Sequence, residues 1–274
     1  MINEALELLM HRNAVLTEDA LRKYYADDPD LQVLLDAERY SLFAGGKRIR
    51  PMLTIEFCRL FGGDEAVALP FACAVEMIHT YSLIHDDLPC MDDDELRRGK
   101  PCNHKVFGEG MALLAGDSLL TGAFEAAATN VEAGPEISAM AVAYLAGCAG
   151  RYGMIGGQVM DVEGEGTEMS LEALLKMHSF KTGALIGASC VLGALAAGVR
   201  FDNPCMQDVI IYSENIGLVF QIIDDILDAT ATEKQLGKSV GSDQKRKKNT
   251  FLSFYSVEEA RFYAEQLTRE AVTA

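Results

Sequence analysis

Two groups of carboxylates are the residues of this sequence best suited to do chemistry. The first comes directly after the apolar segment 71–84 and puts six acids within ten residues, namely Asp86, Asp87, Asp92, Asp93, Asp94 and Glu95. Carboxylates at the end of a buried helix are costly unless a cation meets them. Taken alone, an acidic run of this kind is more simply a solvated helix end.

The second acidic group changes that interpretation. Asp224, Asp225 and Asp228 lie within the apolar stretch 217–230. Because Asp224 and Asp228 are four residues apart, they share one helical face, where like charges repel unless a cation lies between them. We expect the two groups to face each other across a cavity and to bind Mg²⁺, which takes one or two carboxylates together with substrate phosphates.

The spacing within the first motif predicts a distorted backbone. In a regular helix Asp86 and Asp92 point in different directions, so they can share a metal only if the helix is distorted between them. Pro89 lacks an N–H and clashes with the preceding turn, which predicts a local bulge at residues 87–91. The motif lacks the glycine and the glutamate that an EF-hand needs at its sixth and twelfth positions, so we do not expect an EF-hand loop.

Basic residues cluster in the three segments 45–51, 97–100 and 237–250. Arg and Lys side chains are the usual holders of phosphate oxygens. The alternation of acidic and basic segments therefore predicts a diphosphate that is held partly through metal and partly by direct contact. The run 245–248 on its own is better interpreted as a solvated loop.

Composition narrows the class of protein. The 24 Lys and Arg against 41 Asp and Glu give a net charge of −17, which argues against a nucleic-acid binder. The seven cysteines include no C-x-x-C pair, which predicts a reduced, cytoplasmic protein and not a disulfide framework or a zinc site. The apolar run 183–199 is a little short for a bilayer, so we expect a buried helix and no membrane span.

The elements that must position these residues are predicted to be helices. Apolar residues recur at spacings of three and four, which predicts helices near 2–26, 31–44, 51–61, 70–88, 105–130, 136–160, 171–199, 205–230 and 256–273. Ser256 and Glu259 resemble a capping box that opens the last helix. No stretch reads as an interdomain linker. The sequence therefore predicts one all-α domain over residues 1–274, a single-domain bundle of long helices.

Two glycine positions are predicted to bend helices beside polar side chains. Gly183 permits a kink next to Lys181 and Thr182, which would aim the lysine and a carbonyl into a cavity. Gly156–Gly157 permits a bend beside Gln158. Each of these polar residues, taken singly, is more often a satisfied core or surface residue.

The combined motifs resemble those of the trans-prenyltransferases, the polyprenyl synthetase family. The aspartate-rich motifs are DDLPCMD followed by DDELRRGKP, and DDILD; the others are GGKRIRP, GGQVMD, KTGALI and GKSVGSD. The likeness extends from about residue 40 to 252. The four residues between Asp87 and Asp92 resemble the spacing of bacterial-type farnesyl and of plant- or bacterial-type geranylgeranyl diphosphate synthases, and the whole chain looks most like the bacterial-type farnesyl enzymes. The resemblance implies an isoprenoid synthase-like helical bundle around a central cavity, and a homodimer.

The resemblance also implies a role for each motif residue. Three Mg²⁺ ions, or Mn²⁺ in their place, would be ligated by Asp86, Asp92 and Asp224, with support from Asp87, Asp225 and Asp228. The allylic diphosphate would be held by Arg97, Lys181 and Lys238, and isopentenyl diphosphate by Lys47, Arg50, His79 and Arg98. The catalytic side chains would be Lys181, Thr182 and Gln221, of which the last two line the carbocation with oxygen dipoles.

The implied reaction is the condensation of isopentenyl diphosphate with dimethylallyl and geranyl diphosphate to give farnesyl diphosphate, by ionisation, condensation and elimination. The product would grow along the helix that bears Asp86, where Ser82 lies about one turn back and Tyr81 just beyond. In the family, an aromatic residue at the position of Tyr81 accompanies a short, C15 product. We therefore expect C15, with the C20 geranylgeranyl product as the alternative. The bland alternative for Tyr81 is an ordinary core position.

Other classes of function fit less well. A class I terpene cyclase would have a different second metal motif and no need for GGKRIRP. A non-catalytic subunit of a heteromeric synthase tends to lose the aspartates, and a purely structural bundle would not need carboxylates at the ends of two apolar helices. Family members usually continue past the last predicted helix, so we expect either a naturally short chain or a missing C-terminal tail.

Overall fold

The protein is almost entirely helical. The computed structural model describes residues 4–230 and 249–274. Its α-helices are α1 (Glu4–Tyr24), α2 (Gln32–Leu42), α3 (Ile49–Leu60), α4 (Glu65–Asp86), α5 (Asn103–Phe107), α6 (Glu109–Ala128), α7 (Gly134–Ala149), α8 (Met154–Gly164), α9 (Leu171–His178), α10 (Ala184–Ala196), α11 (Pro204–Thr230) and α12 (Val257–Thr273). A π-helical turn, Ser179–Gly183, joins α9 to α10, and a 3₁₀ turn, Phe251–Ser253, precedes α12. The predicted all-α class is confirmed.

The described residues fall into two compact units. The first contains the residues up to Ala143 together with Leu192–Val199. The second contains Tyr144–Val191 and the described residues from Arg200 onward. Two boundaries between the units lie within α7 and α10, and the third lies between Val199 and Arg200, after α10 ends. That the whole chain behaves as a single domain stays a prediction.

Helix α4 forms the core of the first unit and ends at the first acidic motif. The Asp64 side chain accepts the Ala66 N–H at 2.9 Å and caps this helix, so it begins five residues before the predicted start at Pro70. Helices α3 and α6 pack against it. On α6, a Cβ at Gly116 would lie 2.0 Å from the His85 ring nitrogen. Glycine therefore allows α6 to approach the end of α4 that carries the acids.

A short hairpin is an exception to the all-helical prediction. Strands β1 (Leu96–Arg97) and β2 (Lys100–Pro101) pair antiparallel. The two residues between them, Arg98 and Gly99, have φ values of 54° and 75°. A two-residue hairpin of type I′ requires such positive values at both positions, and glycine favours them. The sequence analysis missed this hairpin because its strands are two residues long and lack alternating apolar residues.

Two of the predicted helices are divided. The helix predicted over 105–130 breaks at Gly108, whose φ of 85° is outside the helical region. The helix predicted over 136–160 consists of α7 and α8, separated by the turn at 150–153. The predicted capping box of the last helix is confirmed: the Glu259 N–H donates to Ser256 Oγ at 3.2 Å, and the Ser256 N–H donates to Glu259 Oε2 at 2.8 Å.

The second unit has its own apolar core beside the second acidic motif. Leu174, Ile222, Phe251 and Ala260 are buried together and bring α9, α11, the 3₁₀ turn and α12 into contact. This core holds the half of α11 that carries the second acidic motif against the segment that begins at residue 249.

Two described helical stretches, Glu65–Asp86 and Leu171–Ala196, are long and apolar enough to cross a membrane. However, 67% of the apolar part of each is buried within the protein. Core helices have the same composition and burial, so these stretches are weak evidence for a membrane span.

Candidate active site

The first acidic motif forms a tight chain reversal. Helix α4 ends at Asp86, and the Asp92 N–H donates to the Asp86 carbonyl oxygen at 2.8 Å. The predicted bulge inside a helix at 87–91 is therefore wrong, because the helix stops before Pro89 and the chain folds back on its end. The turn nevertheless provides the irregular backbone between Asp86 and Asp92 that their spacing predicted. Asp86 and Asp92, both partly exposed, lie at the two ends of one turn.

Asp87, which is buried, and the partly exposed Arg97 form an ion pair beside this turn. The Arg97 guanidinium donates to Asp87 Oδ1 through Nε at 3.0 Å and also through Nη2, which reaches Asp94 Oδ2 at 3.1 Å. The Asp87 side chain is 4% exposed. Burial alone would lower the pKa of Arg97, but the hydrogen bonds and charge of Asp87 outweigh burial and raise it. Arg97 thus links the hairpin to the acidic turn.

A cluster of basic residues lies in the same unit. Burial and the neighbouring Arg98 together lower the pKa of Arg50 to about 10, although the charge of Glu76 opposes them. Burial also lowers the pKa of His79 well below its usual value, and Arg50 and Arg98 add to that effect. His79 is therefore neutral near pH 7, and the charge of the two arginines favours an anion. Three of the four residues predicted to hold isopentenyl diphosphate come together here, whereas Lys47 is exposed.

Arg48 and Glu76 form a buried ion pair beside this cluster that the sequence analysis did not assign. The Arg48 side chain is 0% exposed, and it donates to Glu76 Oε1, to the Leu42 carbonyl oxygen and, at 3.0 Å, to Glu18 Oε1. Arg48 has a φ of 48° directly before α3 begins. Its side chain is buried in the core, where Glu76 and Glu18 accept its hydrogen bonds. In the sequence, the one sign of this ion pair is Glu76, a lone glutamate inside the apolar segment 71–84.

The predicted chain-length residues lie in the body of α4. Tyr81 is 5% exposed, and its ring meets the His85 ring edge to face at 5.6 Å between centroids. Its hydroxyl has no hydrogen-bond partner among the described residues, and burial raises its pKa to about 12. Ser82 Oγ donates to the His79 carbonyl oxygen at 2.9 Å. Both the floor of a product cavity and an ordinary core position are compatible with this geometry.

In the second unit, the second acidic motif lies on α11 beside the predicted catalytic amide and hydroxyl. The Thr182 hydroxyl donates to Gln221 Oε1 at 3.0 Å, and Gln221 Nε2 donates to Asp225 Oδ1 at 3.0 Å. Asp224 is partly exposed, whereas Asp225 and Asp228 are buried. The structure therefore brings Thr182 and Gln221 together with this motif.

Lys181 lies on the π-helical turn and is paired with a residue that the sequence analysis did not assign. Its Nζ donates to Asp161 Oδ2 at 2.5 Å. The predicted kink at Lys181–Gly183 is confirmed as the π-helical turn Ser179–Gly183. Asp161 is the last residue of the GGQVMD motif, so the motif could have marked it as a site residue.

The predicted bend at Gly156–Gly157 is wrong, because both glycines lie inside α8. A Cβ at Gly157 would lie 2.2 Å from the backbone nitrogen of Lys181. Glycine at position 157 therefore allows α8 to pack closely against the π-helical turn without a bend in α8. Lys238, together with the run 245–248, lies outside the described residues.

The arrangement of the carboxylates fits a magnesium site that is completed by water and substrate phosphates better than a metal site made of protein ligands alone. Within residues 4–230 and 249–274, no three His, Cys, Asp or Glu side chains come close enough to hold an ion by themselves. Magnesium is commonly bound by one or two carboxylates that are completed by water and substrate phosphates. Asp86 and Asp92 in the first unit, and Asp224 in the second, are partly exposed hard-oxygen donors of that kind.

Comparison with known proteins identifies the family. The Polyprenyl synthetase family model matches residues 31–273. The chain therefore belongs to the polyprenyl synthetase family, the trans-prenyltransferases, as the motifs predicted.

Curated relatives carry names that bear on the product. The chain is 47% identical over 272 residues to the chloroplastic geranylgeranyl pyrophosphate synthase of Catharanthus roseus, covering 98% of this chain and 71% of that protein. It is 51% identical over 242 residues to the chloroplastic large subunit 1 of a heterodimeric geranylgeranyl pyrophosphate synthase of Arabidopsis thaliana, covering 86% of this chain and 65% of that protein. The match thus leaves about a third of each relative uncovered.

Solved structures share the fold. An FPP/GFPP synthase from Zymomonas mobilis, in its apo form, superposes with a TM-score of 0.83 at 35% identity, covering 97% of this chain and 91% of that chain. A geranyltransferase from Helicobacter pylori, complexed with magnesium and isoprenyl diphosphate, gives a TM-score of 0.81 at 31% identity, covering 97% and 89%.

Proposed function

We propose that the protein is a magnesium-dependent trans-prenyl diphosphate synthase that condenses isopentenyl diphosphate with allylic diphosphates and releases a C20 product, geranylgeranyl diphosphate. The observation that carries the proposal is the first unit's combination of the Asp86–Asp92 turn with the buried cluster of Arg50, His79 and Arg98. One provides oxygen donors for metal, and the other provides cations for a diphosphate. Family membership supports the same chemistry.

The basic groups hold and orient the two substrates. Arg50 and Arg98 would bind isopentenyl diphosphate directly, with neutral His79 as a hydrogen-bonding partner. Arg97 and Lys181 would hold the allylic diphosphate, and each already lies beside a carboxylate, Asp87 or Asp161, that fixes its position. Magnesium bound to the aspartates would supply the positive charge that lets the diphosphate leave.

The polar side chains of the second unit would stabilise the allylic cation that forms when the C–O bond breaks. Thr182 and Gln221 present oxygen dipoles whose orientation is fixed by their own hydrogen bond. The double bond of isopentenyl diphosphate then attacks the cation, and a proton is lost to the released diphosphate. No protein side chain needs to act as a general base.

The C20 product is proposed because curated relatives at about half identity carry that name. A C15 product, which the sequence analysis expected first, is the second candidate, because the buried Tyr81 ring occupies the position at which the family's short-chain enzymes have an aromatic residue. A homodimer and a cytoplasmic location also stay predictions. A non-catalytic subunit is disfavoured because both aspartate groups are intact.

One experiment tests activity and product length together. The protein is incubated with Mg²⁺, isopentenyl diphosphate and dimethylallyl, geranyl or farnesyl diphosphate, and the products are sized by chromatography. We expect C20 from the unaltered protein, and C25 or longer from Tyr81→Ala, because loss of the ring would open space toward the N-terminal end of α4.

Tyr81→Phe is the matched control. It keeps the ring and removes only a hydroxyl that has no hydrogen-bond partner among the described residues, so product length should not change. A C15 product from the unaltered protein would favour the second candidate. An unchanged product from Tyr81→Ala would remove Tyr81 as the floor, and no prenyl product from any substrate pair would reject the synthase.

A further inference from the structure

We propose that Asp225 is a positioning residue that clasps the segment 250–255 to α11 and fixes the orientation of Gln221. This inference rests on the proposed function for its catalytic consequence, although the clasp itself does not require activity. It differs from the role of supporting magnesium that the resemblance implies for Asp225. The carboxylate acts through protein donors that already surround it.

The first observation is that both carboxylate oxygens of Asp225 accept hydrogen bonds from the protein. Oδ1 accepts from Gln221 Nε2 at 3.0 Å, and Oδ2 accepts from the Phe251 backbone N–H at 2.8 Å. The Asp225 side chain is 3% exposed. Hydrogen bonds to the charged form stabilise a buried carboxylate, so these donors replace part of the solvation that Asp225 has lost.

The second observation is a stack of rings around the same carboxylate. The His178 and Phe251 rings stack at 5.7 Å between centroids, and His178 Nε2 lies 3.9 Å from Asp225 Oδ2. The Phe251 ring stacks in turn on Tyr255 at 6.1 Å. Because Phe251 is fully buried, its N–H bond to Asp225 is shielded from water. The clasp therefore joins α9, α11 and the segment after residue 249.

The third observation is that Asp225 ends a directed chain of hydrogen bonds. Thr182 donates to the oxygen of the Gln221 amide, and the nitrogen of that amide donates to Asp225. An acceptor at position 225 therefore determines which end of the amide faces Thr182. If Asp225 became a donor, the amide would rotate and its oxygen dipole would turn away from Thr182.

Asp224 differs from Asp225 in its exposure. Asp224 precedes Asp225 on the same helix but is partly exposed, as a side chain that meets metal and substrate must be. The first motif has a parallel arrangement, because its second aspartate, Asp87, is committed to Arg97. In each motif the first aspartate is the more accessible, and the second is held by protein donors.

The test compares Asp225→Asn with Asp224→Asn in the protein without magnesium. Hydrogen exchange is measured by mass spectrometry on peptides that contain Phe251. We expect exchange at this amide to be about tenfold faster in Asp225→Asn, because an asparagine cannot accept from both donors, and unchanged in Asp224→Asn. Gln221→Met removes one donor and keeps the side-chain length. It should accelerate hydrogen exchange in the same peptide by a smaller factor.

Kinetics then separate positioning from metal binding. In Asp225→Asn, kcat should fall about tenfold while the magnesium concentration for half-maximal activity changes less than about twofold. In Asp224→Asn, that magnesium concentration should rise about tenfold. The clasp is overturned if Phe251 exchanges at the unaltered rate in both Asp225→Asn and Gln221→Met, or if Asp225→Asn loses magnesium affinity as Asp224→Asn does. If the unaltered protein makes no prenyl product while Asp225→Asn still accelerates exchange at Phe251, the proposed function is rejected and the clasp is supported.

Discussion

Glu76→Gln is expected to lower the free energy of unfolding by about 3–5 kcal/mol, because it leaves the Arg48 guanidinium as a buried charge without its main counter-ion. The Arg48 side chain is 0% exposed and the Glu76 side chain 2%. Glu18 also accepts from Arg48, but its side chain is 31% exposed and solvent screens that contact. Urea unfolding followed by circular dichroism measures the change.

Glu65→Gln supplies the matched control for this prediction. Glu65 pairs with Arg12 and Arg59, and its side chain is 34% exposed. An exposed pair of this kind contributes about 0–1 kcal/mol. If Glu76→Gln were as mild as Glu65→Gln, the buried pair would not be a main support of the first unit.

The same pair has a consequence for substrate binding. Arg48 lies between Lys47 and Ile49, and Arg50 follows, so the direction in which Arg48 turns sets the start of α3 and the placement of Arg50. Under the proposed function, Glu76 would therefore affect the isopentenyl diphosphate site through the placement of Arg48 and through its charge near Arg50 and Arg98, without contacting the substrate.

Gly157→Ala is expected to lower kcat/KM about 100-fold, because misplacing a substrate-positioning residue by about 1 Å can cost that much. The added Cβ would lie 2.2 Å from the Lys181 backbone nitrogen and 2.6 Å from its Cα, so the π-helical turn must shift. Lys181 and Thr182 move with the turn, and both are proposed to act on the allylic substrate. Steady-state kinetics with isopentenyl and geranyl diphosphate measure the effect.

Gly147→Ala is the control for the change from glycine to alanine in a helix. Gly147 is exposed on α7, and its added Cβ would meet nothing within 4 Å. This variant should be as active as the unaltered protein and slightly more stable, by about 0.5–1 kcal/mol. Activity of Gly157→Ala within twofold of the control would show that the close approach of α8 does not set the position of Lys181.

Local pattern was enough to predict the helical class and the residues of both acidic motifs. The spacing of Asp86 and Asp92 also predicted that the backbone between them is irregular. It could not predict how, because a bulge and a helix end followed by a chain reversal impose the same requirement on the sequence. The turn that the structure has depends on a hydrogen bond from the Asp92 N–H to Asp86.

Partners distant in sequence could not be predicted. Arg48 was grouped with the phosphate-binding cations because it lies among them, yet its positive φ turns it toward Glu76, which is 28 residues away. Asp225 finds its backbone donor 26 residues later, at Phe251. No spacing rule within a helix anticipates contacts of this range, so they have to be read from the structure.

The central claim is that the Asp86–Asp92 turn binds a magnesium-bound diphosphate, and calorimetry with inorganic diphosphate tests it most directly. With Mg²⁺ present, we expect diphosphate binding that depends on magnesium and that Asp92→Asn weakens about tenfold or more. Binding that does not require magnesium, or a dissociation constant that Asp92→Asn leaves unchanged, would contradict the claim.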